Sequence, residues 1–326
     1  MKSLVDRHGR QITYLRLSVT DLCNLRCTYC MPEEGIDLSE KEDILSFEEL
    51  EKLVRIFVKL GIKKLRLTGG EPFVRAGLTK FIKKLKGIEG LEGIYITTNG
   101  ILLKEHLSEL KSIGISGINL SLDTLEREKF KEITRRDKFE EVIDSFQSIL
   151  DHSIPLKINS VVQSINFNEI VSLASLTKEF PVDVRFIEEM PFNGGDAFKA
   201  PALDYLKIIH SLEAAFPDLK QETELNSTAI LFKAPEHKGK IGVIAASSRL
   251  FCGSCNRVRV SAKGGLKTCL FGDDVLDIKE MMRNEKSEDE IIKAIQDCVN
   301  QKYLDGFKAS EARENSILNP MVGIGG

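Results

Sequence analysis

Six short runs rich in β-forming residues, at 14–19, 64–68, 93–98, 117–122, 157–163 and 182–188, are separated by longer stretches with helical apolar spacing. In the first run Leu15, Leu17 and Val19 take one face while Tyr14, Arg16 and Ser18 take the other, because alternate side chains on a strand share a face. The helix that follows is marked by Ser46 as N-cap, Glu49 closing a capping box, Leu45 and Leu50 placed for a hydrophobic staple, and Gly61 as the stop. Further helices are predicted over 77–86, 102–113, 138–151 and 166–178. Strand and helix alternating in this way predict an α/β fold with a parallel sheet, and six units of this length predict a partial (β/α)6 TIM-type barrel. An open doubly wound sheet is the alternative. Past residue 219 the pattern changes to a polar region containing Gly and Ser, then two helical stretches and a glycine-ended tail. The chain is therefore expected to divide into a barrel at 5–219 and a smaller domain at 220–326 that closes it.

In a barrel of this kind, functional groups gather beyond the C-terminal ends of the strands. A cysteine-rich loop follows the first run, Gly69-Gly70-Glu71-Pro72 the second and Asn99-Gly100 the third; Ser121-Leu122-Asp123 ends the fourth, and Glu188-Glu189-Met190 the sixth.

The formal charge is -3, with 29% charged residues and no long run of one sign, so non-specific nucleic-acid binding is not expected. No stretch approaches the about 18 apolar residues of a membrane span, and a soluble cytoplasmic protein is expected. The composition includes 7 cysteines, six of them in two triplets, Cys23, Cys27, Cys30 and Cys252, Cys255, Cys269. Clustering of this kind points to metal ligation rather than disulfides. Cys-x3-Cys-x2-Cys is compact enough to wrap a cubane iron–sulfur cluster and leaves one iron open. Zinc with a distant fourth ligand is the alternative, although no histidine lies nearer than His8. For the second triplet a zinc ribbon competes more closely. Cys298, among Ile291, Ile292, Ile295 and Val299, reads as a packed or semi-exposed free thiol.

Arg16, Lys64, Arg66, Lys157 and Arg185 fall within predicted strands, and Arg257 and Arg259 share a face if Val258 to Val260 is extended. Strands covered by helices should be largely apolar, so these bases need internal carboxylates or a ligand. A polyanion accounts for the whole set, because guanidinium forks suit phosphate oxygens. No Gly-x4-Gly-Lys-Ser/Thr loop is present, which excludes an ordinary hydrolysing P-loop enzyme. The Gly-Gly-Glu turn can approach a ligand closely and offer a carboxylate to an ammonium group, a combination that suits an amino-acid moiety.

The cysteine loop after strand one and Gly-Gly-Glu-Pro after strand two resemble the radical S-adenosylmethionine superfamily. Within it the chain is similar to the GTP 3',8-cyclase family of molybdenum cofactor biosynthesis. That likeness spans nearly the whole chain and includes 17–24, Thr97-Thr98-Asn99-Gly100, 119–123, Arg185-Phe186-Ile187-Glu188, 255–259 and the double-glycine end. The resemblance implies two 4Fe-4S clusters, one on Cys23, Cys27 and Cys30 and one on Cys252, Cys255 and Cys269. It implies S-adenosylmethionine against Tyr29, Gly70, Glu71, Ser121 and Met190. It also implies GTP against Arg16, Arg66, Thr97, Lys157, Arg257 and Arg259, with Lys64 and Arg185 added. The implied chemistry is a 5'-deoxyadenosyl radical taking hydrogen from C3' of GTP, which then cyclises onto C8. Arg257, Arg259 and the tail Gly325-Gly326 would serve catalysis. An electron donor, a companion cyclic pyranopterin monophosphate synthase and a homodimer are the implied partners. A peptide-modifying radical enzyme and a non-catalytic zinc protein are the rival readings.

Overall fold

The computed structural model describes residues 3–37, 39–190, 192, 203–224, 227–313 and 320–324. Six strands, β1 (Tyr14–Ser18), β2 (Lys64–Thr68), β3 (Gly93–Thr98), β4 (Gly117–Ser121), β5 (Leu156–Val162) and β6 (Val182–Glu188), pair in parallel in sequence order. Each agrees with its predicted run to within one residue at either end. The helices α1 (Phe47–Lys59), α2 (Leu78–Lys86), α3 (Leu107–Ile113), α4 (Arg127–Thr134), α5 (Phe139–Asp151) and α6 (Ile170–Glu179) fall between the strands.

The local chemistry explains these boundaries. Ser46 Oγ accepts from the Glu49 amide at 3.1 Å while Glu49 Oε2 accepts from the Ser46 amide at 2.7 Å, which completes the capping box on α1. Gly61, at φ +95°, turns the chain out of that helix through a conformation glycine adopts without strain. The segment predicted as helix from 102 is split into a 3-10 turn at Lys104–His106 and then α3. Helix α4 was not expected; it is short and mostly polar, with only Phe130, Ile133 and Thr134 buried.

The C-terminal third does more than cover the barrel. It continues with α7 (Tyr205–Ala215), β7 (Lys220–Glu222), β8 (Ile230–Lys233), β9 (Ile241–Ile244), β10 (Arg257–Val260), β11 (Gly265–Lys267), β12 (Leu276–Asp277), α8 (Ile278–Arg283), α9 (Glu288–Asn300) and α10 (Gly306–Glu311). β9 joins β6 in parallel and β10 joins β1 in parallel, so the partial barrel carries one extra parallel strand on each edge. β8 and β7 extend one side antiparallel, and β11 and β12 the other.

The apolar core lies between the sheet and the outer helices. Leu15, Leu17, Leu65, Leu67, Ile94, Ile96, Ile118, Leu120, Ile158, Val184 and Phe186 face it and are buried. The opposite, concave face is polar. By register Arg259, Arg16, Arg66 and Tyr95 stand abreast on four neighbouring strands, as do Thr97, Asn119, Lys157 and Asp183. The polar alternation visible in the first strand is thus the lining of the barrel.

Candidate functional site

A cavity of about 380 Å³ runs through the concave side, with both cysteine triplets among its lining residues. Topology puts the triplets at opposite ends. Cys23, Cys27 and Cys30 follow β1, at the C-terminal rim. Cys255 precedes β10, whose start is tied to the start of β1: the amides of Thr13 and Tyr14 donate to the Asn256 carbonyl at 3.1 and 3.2 Å. Cys269 follows β11, which runs antiparallel to β10 and returns to that same N-terminal rim.

The first cysteine loop is held by its neighbours. The Gly70 amide donates to Thr20 O and the Glu71 amide to Leu22 O, both at 2.8 Å. A Cβ on Gly70 would come within 2.2 Å of the Leu22 carbonyl oxygen, so this glycine lets two rim loops meet. The unexpected α4 supplies a further brace, because Arg26 N and Thr28 N donate to the carbonyls of Thr134 and Ile133, at 3.0 and 2.9 Å. From the other side of the loop, the Met321 amide donates to Cys30 O at 3.0 Å. Gly325 and Gly326 lie outside the described residues; Met321 and Val322, just before them, line the cavity.

Glu71, expected to meet an ammonium group, is enclosed instead. Its carboxylate accepts from Asn99 N at 2.7 Å, Thr98 Oγ1 at 2.8 Å and Phe73 N at 3.1 Å, and it does not line the cavity. Burial raises its pKa to about 7 against these hydrogen bonds. Asp123, by contrast, faces the cavity, as do Glu188 and Glu224. It accepts from Tyr29 OH at 2.8 Å and Val161 N at 2.7 Å, and burial raises it to about 6. Gly70, Ser121, Met190 and Tyr29 line the same end.

Further down, Arg16, Arg66, Thr97, Arg185, Lys64, Arg257 and Arg259 all line the cavity. Lys157 does not; its ammonium is paired with Asp183 at 2.5 Å, on the neighbouring strand. Tyr14, whose face was legible but not its role, lies among the cations. Its hydroxyl accepts from Arg66 Nε at 2.5 Å, and its ring is 4.9 Å from Lys64 Nζ and 5.5 Å from Arg257 Cζ. These bases destabilise one another. Burial and then the Arg259 charge hold Arg16 well below the usual guanidinium range, and burial with the Arg257 charge brings Arg259 to about 10. A polyanion entering here would relieve that repulsion.

The two triplets differ in the charges beside them. Burial lifts Cys23 to about 11; burial, with neighbouring thiols and the Asp123 charge adding to it, raises Cys27 well above the ordinary thiol value and Cys30 to about 12. At the other end burial also lifts Cys252, to about 11. Cys255 nevertheless falls below the ordinary thiol value: burial acts upward, but the charges of Lys302 and Arg257 outweigh it. Among the described residues no three His, Cys, Asp or Glu side chains are set to hold a single metal ion. Three thiols reaching separate irons of a cluster is a different arrangement, and triplets of cysteine without histidine fit it. The seventh cysteine, Cys298, is half-buried on α9, its thiol 3.6 Å from Val275 O.

The Radical SAM superfamily model matches residues 17–177 and the Molybdenum Cofactor Synthesis C model matches 182–306. The chain is 43% identical over 321 residues to molybdenum cofactor biosynthesis protein 1 of Bos taurus, covering 97% of this chain and 51% of that protein. The human protein of that name is also 43% identical, with 50% of its length covered. The chain thus spans about half the length of these relatives. It is 40% identical over 324 residues to the GTP 3',8-cyclase of Clostridium perfringens strain 13, covering 98% of this chain and 99% of that enzyme. In fold it is similar to Streptococcus suis SuiB bound to S-adenosylmethionine, at TM-score 0.64, 14% identity and coverage of 95% of this chain and 71% of that one. It is similar also to anSMEcpe with bound AdoMet, at TM-score 0.60, 18% identity and coverage of 95% and 90%.

Proposed function

We propose that this chain, which belongs to the radical S-adenosylmethionine superfamily and within it to the family of the GTP 3',8-cyclases, converts GTP to (8S)-3',8-cyclo-7,8-dihydroguanosine 5'-triphosphate, the first step of molybdenum cofactor biosynthesis. The observation that carries this reading is one cavity with a cysteine triplet at each end, a carboxylate facing it at the first end and crowded guanidinium groups toward the second. A sulfonium is cationic and a nucleoside triphosphate strongly anionic, so the two ligands have distinct electrostatic preferences within one chamber.

On this reading Cys23, Cys27 and Cys30 hold one 4Fe-4S cluster, and Cys252, Cys255 and Cys269 a second. With S-adenosylmethionine the first cluster supplies a 5'-deoxyadenosyl radical able to take hydrogen from ribose C3' of GTP. The protein's part is placement and exclusion. Tyr29, Gly70, Ser121 and Met190 surround the upper ligand, with Asp123 fixing the Tyr29 hydroxyl. Arg16, Arg66, Arg185, Arg257, Arg259, Lys64 and Thr97 receive the triphosphate and base. Lys157 acts at the rim, through the ion pair with Asp183 that it would share or surrender. The buried side walls keep water from a reactive carbon radical.

The partners this reading brings are an electron donor, the companion cyclic pyranopterin monophosphate synthase by product handover and a second copy of the chain, with the cytoplasm as the compartment. Among the described residues no helix is long and apolar enough to cross a membrane. The test is anaerobic incubation of the reconstituted protein with S-adenosylmethionine, dithionite and GTP. Appearance of both 5'-deoxyadenosine and a cyclised guanosine triphosphate is expected. Deoxyadenosine without nucleotide product would keep the radical chemistry and reject GTP; neither product, in protein shown to contain iron and sulfide, would reject the whole assignment.

A further inference from the structure

Two buried cations brace the second cysteine triplet from behind, and they differ in one respect. Arg10 donates to Cys252 O at 2.9 Å and to the carbonyls of Tyr303 and Leu304, both at 2.6 Å, and it carries its own counterion, Asp6, at 2.6 Å. Lys302, two residues beyond the end of α9, turns its side chain inward and is only 2% exposed. Its ammonium donates to Arg257 O at 3.1 Å and to Thr268 O. Those carbonyls belong to the residue two after Cys255 and the residue just before Cys269. Lys302 also lines the cavity beside the cysteines. Among the described residues no carboxylate forms an ion pair with it.

An ammonium buried without an anion is strongly unfavourable, and two neutral carbonyls do not balance its charge. The negative charge that would balance it lies across the same wall, where three thiolates and a cluster carry net negative charge. We propose that Lys302 is the resident countercation of the second triplet, clamping the two cysteine-bearing segments by their carbonyls and making the iron–sulfur assembly held there easier to reduce. This rests on the reading of Cys252, Cys255 and Cys269 as cluster ligands. Lys302 is a positioning and tuning residue, since its ammonium bonds the carbonyls of Arg257 and Thr268 and not the thiols.

The reduction potential of a cluster depends on net local charge and on hydrogen bonding around it, so the test reads potential and not turnover alone. The full-length chain with Cys23, Cys27 and Cys30 changed to Ala isolates the second site. In that background the parent, Lys302→Gln and Lys302→Arg are reconstituted, counted for iron and sulfide, and titrated potentiometrically by electron paramagnetic resonance. Gln keeps a donor and loses the charge; Arg keeps both. The expected result is that Lys302→Gln is about tenfold less reduced than the parent at a fixed applied potential, with Lys302→Arg close to the parent. If Lys302→Gln loses its iron while Lys302→Arg retains it, charge is again what the site needs, and the proposal stands. Equal loss of iron in both variants would mean that the lysine acts only by shape, and an unchanged potential in iron-replete Lys302→Gln would remove the tuning role. Either result overturns the proposal. Absence of iron and sulfide in the parent background is a separate outcome, which rejects the cluster reading and the inference built on it.

Discussion

The two ends of the cavity hold the same number of cysteines and set different charges beside them. At the rim beyond β1, Asp123 is buried against the Cys27 loop through Tyr29; burial raises the thiols there, and the Asp123 charge adds to it at Cys27 and Cys30. At the rim before β10, Lys302 and Arg257 bring Cys255 below its ordinary value against the pull of burial. Ligand count alone would make the triplets interchangeable. On the proposed reading the neighbouring charges would make them different sites: one would suit a cationic ligand and a hard-to-reduce centre, the other an anionic ligand and a centre stabilised in its reduced state.

The largest test of that difference is to remove one end at a time. Cys27→Ser is expected to abolish 5'-deoxyadenosine formation, remove about half of the iron and leave nucleotide binding intact, because the guanidinium groups are carried by the strands and not by the first cysteine loop. Cys255→Ser is expected to remove the other half and abolish the cyclised nucleotide while S-adenosylmethionine cleavage persists. Iron counting with product chromatography reads both. If either variant lost both activities and all of the iron, the ends would not be separable sites.

Within the basic end, Arg16→Ala should weaken GTP binding by roughly ten- to a hundredfold, the loss of about 1.5–3 kcal/mol typical of a hydrogen bond to a charged group. Equilibrium dialysis with GTP and guanosine separates the cause, since a triphosphate contact affects GTP much more than guanosine. A smaller effect is expected at the acidic end. Asp123→Asn preserves shape and removes charge, so S-adenosylmethionine affinity should fall roughly three- to tenfold, the weight of one screened charge of about 1 kcal/mol, with GTP affinity unchanged. A fall in GTP affinity instead would contradict the division between the ends.

Much of this was legible in the sequence, for identifiable reasons. The six barrel strands are strong β-forming runs bounded by turn residues, and α1 carries a complete set of capping signals. The bases of the lining were visible as polar residues at strand positions where apolar ones belong. What the sequence could not supply was register. Lys157 and Asp183 are on separate strands, and only their pairing across β5 and β6 shows that the lysine already has a carboxylate. For the same reason β9 and β10 could not be placed on opposite edges of the barrel, since a four-residue strand says nothing of its partner. Glu71 shows a different limit: a loop acid reads as ligand-facing until the backbone amides around it are in place. Helix α4 lacked a continuous apolar stripe, so its brace on the cysteine loop was invisible. Lys302 lies just past a helix end, where a lysine ordinarily points to solvent.

The finest test concerns Tyr14, which belongs to the basic end yet is itself an acid. Burial would raise its phenol, but the charges of Arg66, Arg16 and Lys64 outweigh that and bring it to about 8, from an ordinary 10.0. A folded value below the unfolded one adds stability that is fully present above the unfolded pKa and lost as pH falls through about 8. The thermal midpoint of the ligand-free protein should therefore contain a component that rises between about pH 8 and 10, and Tyr14→Phe should lack it. Tyrosinate absorbance should show one early-titrating phenol in the parent and none in the variant. Bound GTP supplies negative charge to the same cations, so it should move that phenol back toward its ordinary value, whereas S-adenosylmethionine, bound at the far end, should leave it where it is. Equal responses to the two ligands would mean that the cavity does not keep their charges apart, and the electrostatic contrast between its ends would fail at its most sensitive reporter.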